Sequence, residues 1–356
     1  NIDSEGNSYI AWYFESTWYF WDNTIISNWS RDIFVAKISN TWERLWAQNA
    51  GSTSVDEWNS INIDSEGNSY VAWYFNWTSS FWNTTLISNW NSDIFVAKIS
   101  NTWQRLRAQK AGGTSIDQWY AISVDSDGNS YVAWTFRETA NFWGNTLVFS
   151  WSDDVFVAKI SNTWQRLRAQ KAGGISSDHW KSISVDSDGN SYVAWHFGWT
   201  TYFWSNTLVS SWWYDVFVAK ISNTWQRLRA QKADGSQSDE WKSIIVDFEW
   251  NAYFAWFFWW SAKFWDHNIV SNWWNDIFVA KISNTWQRLR AQKAGGISSD
   301  NWNAIGVDSD GNAYVAWHFQ SVWYFWSTNI VSNWNGDIFV AKISNTWQRL
   351  RAQKAG

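Results

Sequence analysis

One period governs this chain. The string Asp-Ile/Val-Phe-Val-Ala-Lys-Ile-Ser starts at Asp32, Asp93, Asp154, Asp215, Asp276 and Asp337, each 61 residues after the one before. A turn-like string, Asp-x-x-Gly-Asn, starts at Asp3, Asp64, Asp125, Asp186, Asp247 and Asp308 with the same spacing, although Trp250 replaces its glycine in the fifth copy. A fixed period of this kind means that each copy is one supersecondary unit, which can bury its apolar surface only against its neighbours. The 356 residues fall ten short of six full copies, and the missing piece corresponds to Ser52–Ile61 of the first. No linker or shift of composition interrupts the series, so residues 1–356 are expected to form a single repeat domain. The absence of Met, position 1 included, marks the chain as an excerpt of a longer product.

Within a copy every segment reads as strand. In copy two, residues 68–75 follow a Gly-Asn turn and are rich in β-branched and aromatic side chains. Residues 94–99 are apolar on both alternating faces, as a strand between two sheets must be. Arg105-Leu106-Arg107-Ala108-Gln109 alternates polar and apolar and suits a half-exposed edge. Trp119 to Val124 supply a fourth strand. These are strands B, C, D and A, with A joined to B through the tight turn and about 18 residues joining B to C. Nowhere does a 3.6-residue pattern persist. Four strands per copy, six times over, predict an all-β fold: a six-bladed β-propeller of four-stranded antiparallel blades, with strand C third in each blade.

Composition removes several classes of function. With no Cys there is no disulfide frame, thiolate metal site or Cys nucleophile. A net charge of −5 speaks against a general nucleic-acid binder, and no segment is long and apolar enough for a helical membrane span. Of 27 Lys and Arg, 22 lie on strands C and D, where charge protects an edge from sheet-to-sheet association.

Asp125-Ser126-Asp127-Gly128-Asn129-Ser130-Tyr131-Val132, the Asp-Ile-Phe-Val-Ala-Lys string and the closing Ala-Gln-Lys-Ala-Gly-Gly together resemble the bacterial beta-propeller repeat family known as SBBP. The resemblance runs through all six copies. It implies a propeller and a bacterial protein that is secreted or exposed at the cell surface, and it implies no catalytic residues.

The tryptophans are in excess: 39, against 18 glycines. Twenty-nine recur at five repeat positions, represented by Trp73, Trp82, Trp90, Trp103 and Trp119. Three readings are open. The indoles pack between blades; they form an aromatic surface for sugars or bases; or they stand where a lineage that reads UGA as glycine places glycine. Trp250 speaks for the third, because Gly6, Gly67, Gly128, Gly189 and Gly311 occupy its position in the other copies.

Motifs for chemistry are weak. Asp125 and Asp127 resemble the start of a calcium loop but lack its distal Glu, so a plain strand connector is the better reading; no other cofactor is indicated. His179, His196, His267 and His318 are not joined by residues that would complete a zinc site or a nucleophilic triad. Phe95–Ala111 is identical to the segments starting at Phe156, Phe217, Phe278 and Phe339, whereas the B–C connections vary. A constant frame with varied connections suits a non-enzymatic extracellular binding or adhesion module, monomeric, with a glycan or surface polymer as partner. A structural array or an engineered scaffold without a ligand is the alternative. The candidate ligand-binding residues are Trp18, Tyr19, Arg137, Tyr202, Lys263, Trp323 and Tyr324, next to the variable Glu15, Asn76, Gly198, Trp259 and Gln320.

Overall fold

In the computed structural model, residues 1–28, 30–52, 54–81, 84–149, 152–204, 206–235, 239–264, 267–296, 301–325, 328–332 and 337–355 are described. Among them are 29 β-strands and no helix. Copy two shows the design. Strand A (Glu57–Ile63), B (Ser69–Phe81), C (Thr84–Ile99) and D (Arg105–Gly113) pair in that order, all antiparallel. Strand C is third in the sheet, as expected. The same order recurs in copies three to six, while copy one holds strands B, C and D preceded by an isolated Ile2–Ser8 bridge.

The period-2 rule explains the packing. On strand C, Phe95, Ala97 and Ile99 join the side chains of copy one, Ile33 and Val35 among them. Ile94 and Val96 on the opposite face join Val132, Trp134 and Phe156 of copy three. Strand C of this copy is therefore buried on both faces, and within each unit neighbouring blades complete one another's cores. Consecutive A strands also touch: Ile122 N–H donates to Ser60 Oγ at 3.1 Å, and Ile244 N–H to Ser182 Oγ at 3.1 Å. By contact the chain forms two compact units, Asn1–Gly173 and Gly174–Gly356.

The B–C connection differs from the expected loop. It is a β-hairpin arm that prolongs strands B and C: Thr78 pairs with Ile87 and Phe81 with Thr84 in copy two, and Thr139–Phe142 pairs with Asn145–Val148 in copy three. The arms of copies two, three, five and six then reach back onto the preceding blade. Ala140 pairs with Gly113 and Asn141 with Gly112, so the far end of edge strand D is covered while Arg105 to Arg107 stay exposed.

Blades are also tied through polar groups. Lys98 Nζ lies 3.0 Å from Asp64 Oδ2 and 4.8 Å from the Tyr70 ring centre, and the Tyr70 hydroxyl donates to Gly128 O in the next copy at 2.9 Å. The same tie joins Tyr9 to Gly67 O and Tyr253 to Gly311 O.

Backbone conformation is unusual at the turns. Among the described residues 17 non-glycines have positive φ, and fourteen of these are tryptophan. All six C–D turns place a tryptophan there: Trp42, Trp103, Trp164, Trp225, Trp286 and Trp347, at φ of 67–69°. Trp21, Trp143 and Trp204 do so at the arm tips, and Trp250 at the A–B turn. A side chain in this region costs about 1–2 kcal/mol per residue. Repeated fourteen times, that cost rivals the ~5–15 kcal/mol that holds a typical domain folded. Of the recurrent tryptophans named above, Trp82 and the side chain of Trp119 lie outside the described residues.

Candidate functional site

The arms carry the copy-to-copy variation, and alternation along them sorts it into three positions. The first lies at the arm's base and is occupied by Glu15, Asn76, Arg137, Gly198, Trp259 and Gln320. This position varies in step with its cross-strand partner. Arg137 grips Asp153 with two hydrogen bonds of 2.6 and 3.0 Å. Asn76 accepts from the Ser92 hydroxyl at 2.7 Å, and Glu15 lies 4.0 Å from Arg31. Gly198 faces Tyr214, whose ring would lie 3.2 Å from a Cβ at 198. Trp259 pairs with Asn275. Pairs that change together preserve a cross-strand contact, so Arg137 is bound within the arm.

The second position points inward. Ser79, Ala140, Thr201 and Ala262 are buried there. Trp18 shares this position, with its ring 5.2 Å from Phe34 and 5.5 Å from Phe20, and 37% of it remains exposed. Trp323 stands at the same position, paired with Ile330 across its arm and Gly296 of the preceding copy; its side chain lies outside the described residues.

The third position points outward in every copy: Tyr19, Ser80, Asn141, Tyr202, Lys263 and Tyr324 are all exposed. Tyr19 is 74% exposed, Tyr202 52% and Tyr324 43%. Four of the seven predicted residues thus share one outward repeat position, whereas Trp18 and Arg137 do not. Across the arm each outward residue faces a Thr or Asn, as Tyr202 faces Thr207 and Lys263 faces Asn268. Two residues along, an aliphatic side chain is also exposed in each copy, from Ile26 to Val331.

A cleft of about 640 Å³ opens beside these strips in the first unit. Its walls are Ile87 and Trp90 from copy two and Asn141 and Thr146 from the arm of copy three, and Gly112 and Gly113 form its floor. The volume suits a small ligand, and the lining mixes amide and hydroxyl groups with apolar surface. Trp90 has φ of 123°, so this wall rests on one of the strained residues.

Beneath the floor lie two carboxyl groups that sequence reasoning missed. Asp93 and Asp117 are fully buried, and one oxygen of each, Oδ1, has no hydrogen-bond partner among the described residues. The other oxygens are held: Gly113 N–H donates to Asp117 Oδ2 at 2.6 Å, and Lys110 Nζ lies 3.1 Å from Asp93 Oδ2. Burial pushes Asp117 up to about 8, and the neighbouring Asp93 adds to the shift. Burial also raises Asp93, though Lys110 opposes it. Asp56, held by Ser52, is pushed up to about 7 in the same way. The close approach of these carboxyls demands glycine at 112, where a Cβ would stand 2.3 Å from Asp93 Oδ1. Burial makes such groups hold a proton more readily than an ordinary carboxyl, but they repeat from copy to copy beneath the glycines, which suits structure more than chemistry at one site. The sequence signal was present: Asp56, Asp117, Asp178, Asp239 and Asp300 each follow by four residues the Gly-Ser, Gly-Gly or Asp-Gly pair that closes strand D.

Asp125 is absorbed by the A–B turn. Its Oδ1 accepts from Asp127 N and Asn129 N at 3.1 and 2.8 Å, and its Oδ2 accepts from Tyr131 at 3.1 Å with Lys159 Nζ 3.3 Å away. Asp127 is exposed. Among the described residues no group of three or more His, Asp or Glu side chains is arranged to hold a metal ion. His179 and His196 face each other across strands A and B of copy four, ring centres 5.2 Å apart.

No known family model matches this chain, and no curated protein does. Among solved structures, the β-propeller domain of the Trilobed protease from Pyrococcus furiosus is similar at 9% identity and a TM-score of 0.44, covering 99% of this chain and 94% of that one. A variant of the Synechocystis apocarotenoid oxygenase is similar at 8% identity and a TM-score of 0.44, over 91% of this chain and 69% of that one. At the level of its parts this chain is an all-β array of antiparallel, propeller-type blades.

Proposed function

We propose that this is a non-enzymatic binding module of the extracellular space or cell surface, and that it takes a glycan or similar hydroxyl-rich polymer along the outward strips of its arms. One observation carries the reading. The third arm position is exposed in all copies and changes its side chain from copy to copy, while the frame beneath it stays constant. Variation at the arm base is matched by partners, and the inward position is buried and small in copies two to five, so the outward position is where variation is free to serve recognition. Tyr rings stack on the apolar faces of sugars, and Asn, Thr and Lys hydrogen-bond hydroxyls. Repetition adds avidity, since a polymer engages successive arms at high effective concentration. The test is a glycan-array screen of the whole chain, followed by Tyr202→Ala and Tyr324→Ala on the best-scoring glycan. A loss of about tenfold or more, corresponding to ~1.4 kcal/mol, is expected. Unchanged affinity in a folded double variant removes the arms from consideration and leaves the ligand-free scaffold as the better description.

A further inference from the structure

The strained tryptophans are unequal as evidence. At the base of the arm, Ser16, Glu138 and Ser321 share positive φ with Trp77, Trp199 and Trp260, so that position admits ordinary side chains. The A–B turn is more demanding. Gly6, Gly67, Gly128, Gly189 and Gly311 sit there at φ of 75–83°, and Trp250 takes the same place at 66°. Trp250 N–H donates to Asp247 O at 3.0 Å and its carbonyl accepts from Tyr192, as Gly128 does with Asp125 and Tyr70. The backbone is that of a glycine turn, and only the side chain differs.

The C–D turns repeat this geometry. Trp103 N–H donates to Ser100 O at 3.0 Å and Ser100 N–H to Gln104 O at 2.7 Å, next to a register shift at Lys98/Ile99. A tight hairpin of this kind, with a bulge beside a left-handed residue, selects glycine. All six copies carry tryptophan instead. The indoles are unevenly served: Trp286 and Trp347 are buried and stack on Tyr192 and Tyr253, but Trp42 is 75% exposed, and Nε1 of Trp164, Trp225 and Trp347 is buried without a partner among the described residues. At the arm tips Trp21, Trp143 and Trp204 occupy the left-handed region at 43–53°. No physical argument selects the largest side chain for the conformations that exclude side chains.

We infer that, in the cell that makes it, this polypeptide carries glycine at 250, at the six C–D positions and at 21, 143 and 204. The codon there is UGA, which lies one base from tryptophan's UGG and one from glycine's GGA, and that cell reads it as glycine. The consequences reach the surface. The exposed indoles of Trp21 and Trp42 vanish, whereas Tyr19, Tyr202, Lys263 and Tyr324 are untouched, so this inference and the binding proposal stand or fall separately.

Protein isolated from its own cells decides the matter. Trypsin releases residues 99–105, whose sequence is identical in five copies. Its mass should be lower than that of the tryptophan peptide by one indolylmethyl group less a hydrogen, with glycine at 103 in the fragment spectrum. The tryptophan mass, alone or mixed with the glycine mass, overturns the inference. A second arm compares two recombinant chains, one as written and one with glycine at the ten sites. The glycine chain should melt higher, by roughly 2–4 °C per site if each releases strain of the usual size; an equal or lower midpoint overturns the conformational argument.

Discussion

At the A–B turn of copy three, Gly128 N–H donates to Asp125 O and Asp125 N–H to Asn129 O, both at 3.0 Å. At the C–D turn of copy two, Trp103 N–H donates to Ser100 O at 3.0 Å and Ser100 N–H to Gln104 O at 2.7 Å. Even the side-chain cap corresponds: Asp125 Oδ1 accepts from Asn129 N at 2.8 Å, and Ser100 Oγ from Gln104 N at 2.8 Å. The two turns share a backbone and differ in what fastens them to the rest. The A–B turn is clamped by a buried ion pair and a tyrosine from the preceding copy, whereas the C–D turn is held by neutral contacts, Asn101 to Asn68 Oδ1 and Glu66 O at 3.3 and 2.9 Å and Trp103 against Trp46. The difference teaches that conformation alone does not set a turn's worth; the ties beyond it do.

The largest effect should come from cutting the clamp. Asp64→Ala leaves Lys98, only 12% exposed, without its carboxylate, and should cost about 3–5 kcal/mol. Ser100→Ala, which removes only a local cap, should cost about 1 kcal/mol. Urea unfolding of both variants reads the contrast, and equal midpoints would break it. Next in size, Gly128→Trp imposes on copy three what copy five already carries and should lower stability by about 1–3 kcal/mol. Trp250→Gly is the reverse experiment. It should raise stability by about 1–2 kcal/mol, less whatever the Nε1 bond to Ser187 Oγ at 3.0 Å contributes. A Trp250→Gly chain that melts lower would show that the indole is a packed, native part of the turn.

A separate contrast lies in pH dependence, where the turn carboxylates and the buried pair oppose each other. Burial raises Asp64, but hydrogen bonds from Asn68 and the Lys98 contact outweigh it and hold the group below its ordinary value. Its contribution is present above the unfolded pKa and is lost as pH falls through the folded one. Asp117, pushed up to about 8, behaves oppositely: the folded state keeps a proton that the unfolded chain has released, so stability declines as pH rises from about 4 to about 8. Asp117→Asn should flatten that decline by about one proton, and thermal melts at a series of pH values measure it. A slope unchanged by the substitution would show that Asp117 titrates normally.

The blades were legible because a fixed spacing and period-2 alternation are local properties. Strand C declared itself through Ile94 to Ile99, and the A–B turn through its Asp-x-x-Gly-Asn. The arms were not legible, for a physical reason. Their tips carry tryptophan where hairpins announce themselves with glycine, so Phe142-Trp143-Gly144 gave a blurred turn signal and the segment read as a loop. Without strand phase, Trp18 and Tyr19 could not be told apart, although one points inward and the other outward. The reach of Ala140 and Asn141 onto Gly113 and Gly112 joins residues from different copies, and no local pattern encodes it. The spacing of Asp93 and Asp117 was legible but their meeting was not, since only folding brings strands A and C to the same glycine.

The ties between blades carry a consequence for how such a chain grows. Tyr70 to Gly128, Tyr9 to Gly67 and Tyr253 to Gly311 each span 58 residues and join one copy to the next. Within each unit these junctions therefore use the same donor from one copy and the same acceptor from its successor. A gene that gains or loses one whole 61-residue copy restores an intact junction at the seam, because the new neighbours present the groups the old ones did. The unit of duplication and the unit of cohesion coincide, so the length of the array can change in one genetic step without a compensating mutation.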